Sequence, residues 1–280
     1  MAKNMTGSDF ADLRNWLVVV PARLASTRLP QKAILDLGGK PMVVRVYENL
    51  APLAQAGAAI VVAVDEERVA AACRQFGVPY LMTSRDHATG TDRCAEVARL
   101  YRDPGQSASS RSYILNVQGD EPFIDPKDLI SLCTAFVAQQ VQERALASPH
   151  SPVKPLATRM GSLCFLSQDA ERFAAPSCVK VVCSKDGHAL YFSRSPIPHN
   201  RDLHGKLAGS FLVHMGVYAF DREALESFCA LPPSPLEVTE RLEQLRALEA
   251  GWRILMHEAS GESLGIDTPA DLEAARVRFS

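Results

Sequence analysis

The chain has 280 residues, of which 47% are hydrophobic, and it carries a formal net charge of -2 at pH 7. A chain of this size and composition can bury a large core, which excludes a disordered protein, and its near-neutral charge gives no general basic field for binding nucleic acid. Seven scattered cysteines lack a paired metal-ligand spacing, so we expect reduced thiols in a cytoplasmic protein. No apolar run is long enough to span a bilayer, so we expect no membrane partner.

The first predicted strand and the loop behind it organise the rest of the fold. Residues 1–15 have no apolar signal core and are expected to form a flexible leader. The apolar run 17–20 is typical of a parallel strand buried on both faces, and Pro21 ends it. Ligands of α/β proteins bind beyond the carboxyl ends of such strands, and cationic side chains at that position are suited to phosphate. The alternative interpretation of this loop is a solvated surface loop with basic residues. The loop carries three cations and two hydroxyls: Arg23, Ser26, Thr27, Arg28 and Lys32.

Alternating helix and strand patterns continue the fold. We expect a helix over 41–53, a strand over 58–64, a helix capped by Asp65 that ends near residue 77, and strands over 79–82 and 113–117. A tight turn at Thr89, Gly90 and Thr91 precedes a further helix. This βαβ alternation predicts an α/β fold, a Rossmann-like mixed, mostly parallel sheet with helices on both faces.

Two carboxylates stand at the carboxyl end of the strand over 113–117. Asp120, with Glu121 beside it, is expected near the cationic loop, where it is well placed to hold Mg²⁺ against phosphate oxygens. The structural alternative is a turn aspartate that only caps backbone amides.

The second half of the chain contains a predicted Pro- and Ser-rich excursion and several further elements. We expect a helix over 125–142, the excursion at 147–155, a hairpin over 179–193 and a strand over 211–220. A helix from Ser234 to Gly251, a strand over 253–257 and a last helix capped by Thr268 should follow. The helix after Ser234 has four leucines that are expected to face inward: Leu236, Leu242, Leu245 and Leu248. Alternation places His214, Gly216 and Tyr218 on one face of their strand.

Ordered motifs from Trp16 to the C-terminus resemble the 3-deoxy-manno-octulosonate (Kdo) cytidylyltransferases, or CMP-Kdo synthetases. The matching segments read PARLASTRLPQKAIL, HATGTDRCAEV, NVQGDEPFI, VKVV with ALYFSRSPIP, HMGVY, SPLEVTERLEQLR and GIDTPADLE. Two positions depart from the pattern, since Gln31 replaces the usual glycine and Ala33 the usual proline. The resemblance implies a single nucleotidyltransferase domain over 16–280, with an embedded β-rich dimerisation lobe at about 176–212 and a homodimer.

The resemblance also implies a role for individual residues. Catalysis would use Arg23, Arg28, Lys32, Asp120 and Asp267, and the two aspartates would hold Mg²⁺. The nucleotide would contact Pro21, Ala22, Arg23, Ser26, Lys32, Thr89, Gly90, Thr91 and Arg93. The sugar acid would contact Gln118, His214, Tyr218, Glu237 and Gln244.

The implied reaction joins CTP and Kdo to give CMP-Kdo and pyrophosphate, the activation step for the inner core of lipopolysaccharide. Transfer to another 2-keto sugar acid, such as an amino-substituted Kdo or a sialic acid, stays open, because one changed pocket residue could cause it. A silent binding homologue is a further alternative, which the retained acids and cations disfavour. A dinucleotide-dependent oxidoreductase is disfavoured because no GxGxxG follows a strand.

Overall fold

A computed structural model describes residues 12–24, 29–106, 111–146 and 157–279. These residues form nine strands: β1 Trp16–Ala22, β2 Ala59–Val64, β3 Tyr80–Met82, β4 Tyr113–Asn116, β5 Thr158–Ser167, β6 Lys180–Cys183, β7 Ala189–Ser193, β8 Phe211–Asp221 and β9 Arg253–Glu258. The helices of the same residues are α1 Met42–Asn49, α2 Ala51–Gln55, α3 Glu67–Gln75, α4 Gly90–Leu100, α5 Pro126–Leu146, α6 Ala170–Ala174, α7 Arg222–Ala230, α8 Pro235–Glu240, α9 Gln244–Glu249 and α10 Pro269–Arg278.

All nine strands belong to one mixed sheet. Seven of them follow the order β3-β2-β1-β4-β8-β5-β9, and the β6–β7 hairpin is attached to β8. β8 is antiparallel to both of its neighbours, while the other six strands of this path share one direction. The carboxyl ends of β1 and β4 therefore open on the same edge of the sheet, as the predicted mixed, mostly parallel α/β fold requires, and that prediction is confirmed.

The apolar run of β1 explains how the sheet is covered on both faces. Val18 and Val20 pack in one core cluster with residues of α1 and α5, such as Phe136. Leu17 and Val19 point the opposite way and pack with residues of α4 and α7. Because alternate side chains of a strand face opposite sides, a continuous apolar run is what a strand between two helical layers needs. Leu13, inside the predicted leader, is also buried in the first cluster.

The structure corrects several predicted elements. The predicted helix over 41–53 is two helices, because Pro52 cannot continue the hydrogen-bond ladder of α1. The predicted helix after Ser234 is also two helices, since Arg241 between them adopts a left-handed conformation with φ of 52°. As a result Leu236 is 36% exposed instead of buried.

The role of Asp65 and the presence of β5 also differ from the prediction. Asp65 does not cap α3, because its side chain accepts hydrogen bonds from the Leu24 amide and from Arg93. β5 was not predicted, although it lies between β8 and β9 and is buried along most of its length.

The residues 147–155 of the predicted excursion lie outside the described residues. None of the described helices combines the length and apolar character needed to cross a membrane.

Candidate active site

A cleft of about 700 Å³ opens where β1 and β4 end. Its lining comes from the loop after β1, the N-terminus of α4, the loop after β4, the turn between α8 and α9, and the residue before the cap of α10. The lining residues are Pro21, Ala22, Arg23, Lys32, Ala33, Ala88, Thr89, Gly90, Gln118, Gly119, Asp120, Arg241, Glu243 and Asp267. The sequence thus brings cations and carboxylates from distant segments to one edge of the sheet, where α/β proteins bind ligands.

Two glycines allow the floor of the cleft to pack closely. A β-carbon added to Gly119 would lie 2.7 Å from the carbonyl oxygen of Pro21, which is too close for any other residue. At Gly90 the added carbon would lie 3.3 Å from the Pro21 ring. Thr89 precedes Gly90 and caps α4 through a reciprocal pair of hydrogen bonds with Asp92. The backbone of this turn is therefore fixed beside the end of β1.

Lys32 connects the two predicted metal ligands. It is 9% exposed, and its Nζ donates to Asp120 Oδ2 at 2.5 Å and to Asp267 Oδ1 at 2.7 Å. The amide of Ile266 donates to the Asp120 carbonyl at 3.0 Å, which holds the two acidic segments together. Asp120 and Asp267 are thus neighbours despite their separation in sequence, and both carboxylates converge on one cationic group.

The donor set of this pair suits a hard divalent cation. Mg²⁺ is usually bound in proteins by one or two carboxylates together with phosphate oxygens of a substrate. Both carboxylates are partly exposed to the cleft, with side-chain accessibilities of 34% for Asp120 and 43% for Asp267. The residues that the structure describes contain no group of three or more His, Cys, Asp or Glu suited to a metal ion. A cation at this position would therefore depend on a bound phosphate for its remaining ligands.

Two further charged groups lie at this end of the sheet: Arg23 lines the cleft, whereas Glu121 lines a neighbouring cavity. Burial, together with the nearby Asp120 carboxylate, raises the pKa of Glu121 to about 7, and its Oε2 has no hydrogen-bond partner among the described residues. Arg23 donates from Nη1 to the carbonyl of Ala88 at 3.2 Å. Its buried Nη2 finds no acceptor within the described parts of the chain. A donor of this kind, in the wall of the cleft, is available to an anionic ligand.

A second cavity of about 720 Å³ adjoins the first, and Asp267 lines both. His214, Tyr218 and Gln244 line this second cavity. The Tyr218 hydroxyl donates to Gln244 Oε1 at 3.2 Å, and Gln244 Nε2 lies 3.4 Å from His214 Nδ1. The predicted placement of His214 and Tyr218 on one face of β8 agrees with the 5.8 Å between their ring centroids.

The hydrogen bonds assign the protonation of His214. Its Nε2 lies 2.9 Å from Ser162 Oγ, which donates its own proton to the carbonyl of Val217 at 2.7 Å. Nε2 must therefore carry the proton, and Nδ1 accepts from Gln244. Burial lowers the pKa of His214 to about 3, so the ring is neutral at physiological pH. This part of the site is a neutral hydrogen-bonded network.

The structure does not bring all predicted site residues to a cavity. Glu237 caps its own helix with Ser234 and forms a bidentate ion pair with Arg246, and it lines neither cavity. The side chain of Arg93 is fully buried and lies outside the cleft lining, as does Thr91. Gln118 lines the first cavity and donates to the carbonyl of Gly216, which lines the second. Ser26 and Arg28 lie outside the described residues.

Sequence reasoning missed two cleft residues from the turn between α8 and α9. Glu243 accepts a hydrogen bond from Thr91 at 2.6 Å, and burial raises its pKa. Arg241, in its left-handed conformation, adds a cation to the lining. Both residues lie in the motif SPLEVTERLEQLR, but its periodicity does not show the break that turns Glu243 and Gln244 toward the cavities and leaves Glu237 outside.

Comparisons with known proteins agree over nearly the whole chain. The sequence model of the cytidylyltransferase family matches residues 17–254. The 3-deoxy-manno-octulosonate cytidylyltransferase of Geobacter sulfurreducens is 44% identical over 267 residues, which cover 92% of this chain and 97% of that protein. The protein of the same name from Wolinella succinogenes is also 44% identical, with 94% and 99% of the two chains covered.

Solved structures give the same result. The structure of CMP:2-keto-3-deoxy-manno-octonic acid synthetase complexed with CTP is 38% identical and has a TM-score of 0.78, with 94% of this chain and 98% of that chain covered. HddC from Yersinia pseudotuberculosis, at 13% identity and a TM-score of 0.61, shares the fold alone. The chain therefore belongs to the 3-deoxy-manno-octulosonate cytidylyltransferase family.

Proposed function

We propose that this protein transfers CMP from CTP to the anomeric hydroxyl of Kdo, which gives CMP-Kdo and pyrophosphate and activates Kdo for lipopolysaccharide synthesis. The observation that carries the proposal is that Asp267 lines two adjoining cavities, one with the bridged charges of Lys32 and Asp120 and one that contains the hydrogen-bonded network of His214, Tyr218 and Gln244. A triphosphate and a sugar acid would then meet at the Asp120–Asp267 pair. The close family relationship supports these two substrates.

In this proposal the first cavity binds the nucleotide. Arg23, whose Nη2 has no acceptor among the described residues, and Lys32 would bind the phosphates and oppose the negative charge that develops on the leaving pyrophosphate. The Thr89–Gly90 turn would approach the nucleotide with its backbone, and Arg28 and Ser26 would complete the phosphate loop. The anomeric hydroxyl would attack the α-phosphorus in line with the leaving group, a reaction that depends on positioning and charge and needs no covalent enzyme intermediate.

Asp120 and Asp267 would hold Mg²⁺, which supplies charge neutralisation at the phosphates when it is bound. The second cavity would orient the sugar acid through His214, Tyr218 and Gln244, and Gln118 would contact it from the first cavity. Glu243, which lines the first cavity and accepts a hydrogen bond from Thr91, would take the place of Glu237 as the ligand-binding carboxylate of this segment.

Purified protein should be mixed with each of the four NTPs and a panel of sugar acids, with pyrophosphate as the readout. We expect rapid release with CTP and Kdo alone, loss of release in EDTA, and recovery with excess Mg²⁺. Faster release with an amino-substituted Kdo or a sialic acid would change the acceptor, and a protein that released no pyrophosphate with any pair would be a silent homologue.

We also propose a homodimer that works in the cytoplasm. β7 and α8 are joined by a hydrogen bond from Ser193 to Glu240, and they expose Leu190 at 62% and Val238 at 65%. An exposed apolar surface of this kind suits a symmetric contact between subunits. Light scattering at micromolar concentration should show a dimer that Leu190→Glu with Val238→Glu dissociates. Val277→Glu is the control, because Val277 is exposed on α10 instead. A monomeric wild-type protein would contradict the proposal.

A further inference from the structure

The buried ion pair of Arg93 and Asp65 lies behind the nucleotide cleft. Arg93 has no exposed surface, and its Nη2 donates to Asp65 Oδ2 at 3.1 Å. Nη1 donates to Thr83 Oγ1 at 2.5 Å and to the carbonyl of Ser84 at 3.1 Å. Neither charged residue of the pair lines the cleft. Nη1 and Nη2 are thus committed to protein groups, while the buried Nε has no hydrogen-bond partner among the described residues.

The pair is connected to the phosphate-binding loop through one carboxylate oxygen. Asp65 directly follows β2, and the last residues of β1 and β2, Ala22 and Val64, are paired in register. The loop after β1 therefore begins beside Asp65, whose Oδ1 accepts the amide proton of Leu24 at 3.3 Å. Asp65 thus bonds the loop with one oxygen and Arg93 with the other.

Arg23 is the cleft residue that this arrangement can direct. It precedes Leu24, lines the cleft, and keeps a buried Nη2 without an acceptor among the described residues. Burial lowers the pKa of Arg93, and repulsion by the nearby charge of Arg23 lowers it further. Asp65 lies where it can offset this repulsion, so that two guanidinium groups can stay near one another.

We propose that the Arg93–Asp65 pair is a positioning device that holds the Leu24 amide and so aims Arg23 at the phosphates of the nucleotide. The inference rests on the proposed function. It assigns Arg93 an indirect role, through Asp65 and the loop, where the family resemblance suggests a direct contact with the nucleotide. A displacement of a phosphate-binding group by about 1 Å can cost about 100-fold in rate, so a distant anchor of this kind can matter to catalysis.

The test uses the full-length protein and a mutant cycle. The variants are Asp65→Asn, the paired change Arg93→Met with Asp65→Leu, Arg23→Ala, and the combination of the paired change with Arg23→Ala. The paired change removes both charges at once, because apolar replacement of a whole buried ion pair is usually tolerated whereas removal of one partner is not. Asp103→Asn is the control matched to the single change Asp65→Asn, since Asp103 also forms a buried ion pair, with Arg111 at 2.7 Å, and does not line the cleft.

Titration calorimetry with CTP and steady-state kinetics give the first readout. We expect the paired change to weaken CTP binding by about 10-fold or more while the KM for Kdo stays within about 2-fold. In the Arg23→Ala background the paired change should cost nothing further, because the interaction acts through Arg23. Unchanged CTP affinity in folded variants would make the pair purely structural and overturn the proposal. Additive losses in the Arg23→Ala background would indicate an independent contact and would also overturn it.

Hydrogen exchange of the Leu24 amide, measured without nucleotide, gives a readout that does not depend on the reaction. We expect slow exchange in the wild type and in Asp103→Asn, and faster exchange after the paired change, with the far-ultraviolet circular dichroism unchanged. Equal exchange in all variants would show that Asp65 does not hold the loop. If the wild type bound no CTP, the proposed function would fail, and this exchange result alone would decide whether the anchor exists.

Discussion

The hydrogen-bonded cluster in the first cavity differs in chemistry from the cluster in the second, although charged side chains also line the second cavity. The first gathers Lys32, Asp120 and Asp267 into a bridged group of charges supplied by three separate loops. The second aligns Tyr218, Gln244 and His214 into a neutral network on one strand and one helix. The difference indicates separate roles for the two clusters. Charged groups stabilise the charge that develops in a transition state, whereas neutral hydrogen bonds fix the orientation of a polar sugar.

The largest effect should come from removing one of the bridged carboxylates. Asp120→Asn or Asp267→Asn should lower kcat by about two to three orders of magnitude with the fold intact, because each removes a charge that Lys32 contacts and a proposed Mg²⁺ ligand. Pyrophosphate release and thermal unfolding measure the two effects. Asp202→Asn, on an exposed turn, is the control. Activity within a few-fold of wild type in both variants would remove the metal assignment.

Removal of the bridging cation should have the next largest effect. Lys32→Ala should cost about 2–4 kcal/mol of transition-state stabilisation, or about 30- to 1000-fold in kcat, because it removes positive charge near the leaving pyrophosphate. The KM values for CTP and Kdo should change much less than kcat. A variant with unchanged kcat and a raised KM for CTP would instead make Lys32 a simple binding residue.

A substitution in the second cavity should change KM, in contrast to the kcat effects expected in the first cavity. His214→Ala should raise the KM for Kdo by about 10-fold and leave the KM for CTP within about 2-fold, since it removes the ring that Gln244 contacts in the wall of the second cavity, where only the sugar acid would bind. His199→Ala, an exposed histidine, should change neither constant. If His214→Ala weakened CTP and spared Kdo, the division between the cavities would be wrong.

The neutral state of His214 predicts a pH effect on stability. Its pKa is about 3 in the folded protein and about 6.5 when exposed, so the unfolded chain binds an additional proton between these values. The free energy of unfolding should therefore fall as pH decreases from 6.5 toward 3, by up to about 1.4 kcal/mol per pH unit from this residue. Urea unfolding at pH 7, 6 and 5 should show a shallower decline in His214→Gln. An identical decline in both proteins would place the ring in a more solvated setting.

The smallest effect concerns the loop on the charged side. Gln31 occupies the left-handed region with φ of 58°, which favours the glycine that the family pattern has at this position. Gln31→Gly should stabilise the protein by about 0.5 kcal/mol, less than the full conformational strain, because glycine also raises the entropy of the unfolded chain. Gln55→Gly, at the exposed end of α2, should destabilise by up to about 1 kcal/mol. A loss of stability in Gln31→Gly would show that the Gln31 contact with Arg68 outweighs the strain.

Residues at the ends of strands are the part of the site that the sequence predicted most directly. Apolar runs and caps located β1, β2 and α4, and motif resemblance brought Asp120 and Asp267 together although they lie far apart in the chain. Short loops at strand ends are read directly from such patterns, because the fold places those ends at one edge of the sheet.

The failures have a physical cause in tertiary structure. β5 follows a Pro- and Ser-rich segment, which obscured its start, and nothing local shows that it pairs with β8 and β9. Asp65 looked like a helix cap because local rules favour that position, but the carboxylate bonds to Leu24 and Arg93 instead. Periodicity also does not reveal the break at Arg241, because a left-handed residue can lie inside a sequence with a helical pattern. This break leaves Glu243, and not Glu237, in the lining of the cleft.

Phosphorus-31 spectroscopy of a reaction that contains CTP, Kdo, Mg²⁺ and the wild-type protein tests the central claim most directly. Attack at the α-phosphorus by an acceptor in the second cavity predicts one new phosphodiester signal and one pyrophosphate for each CTP consumed, with none of either when Kdo is omitted. Formation of CDP and inorganic phosphate, or consumption of CTP that does not depend on Kdo, would contradict the assignment of the two cavities to a nucleotide donor and a sugar acid acceptor.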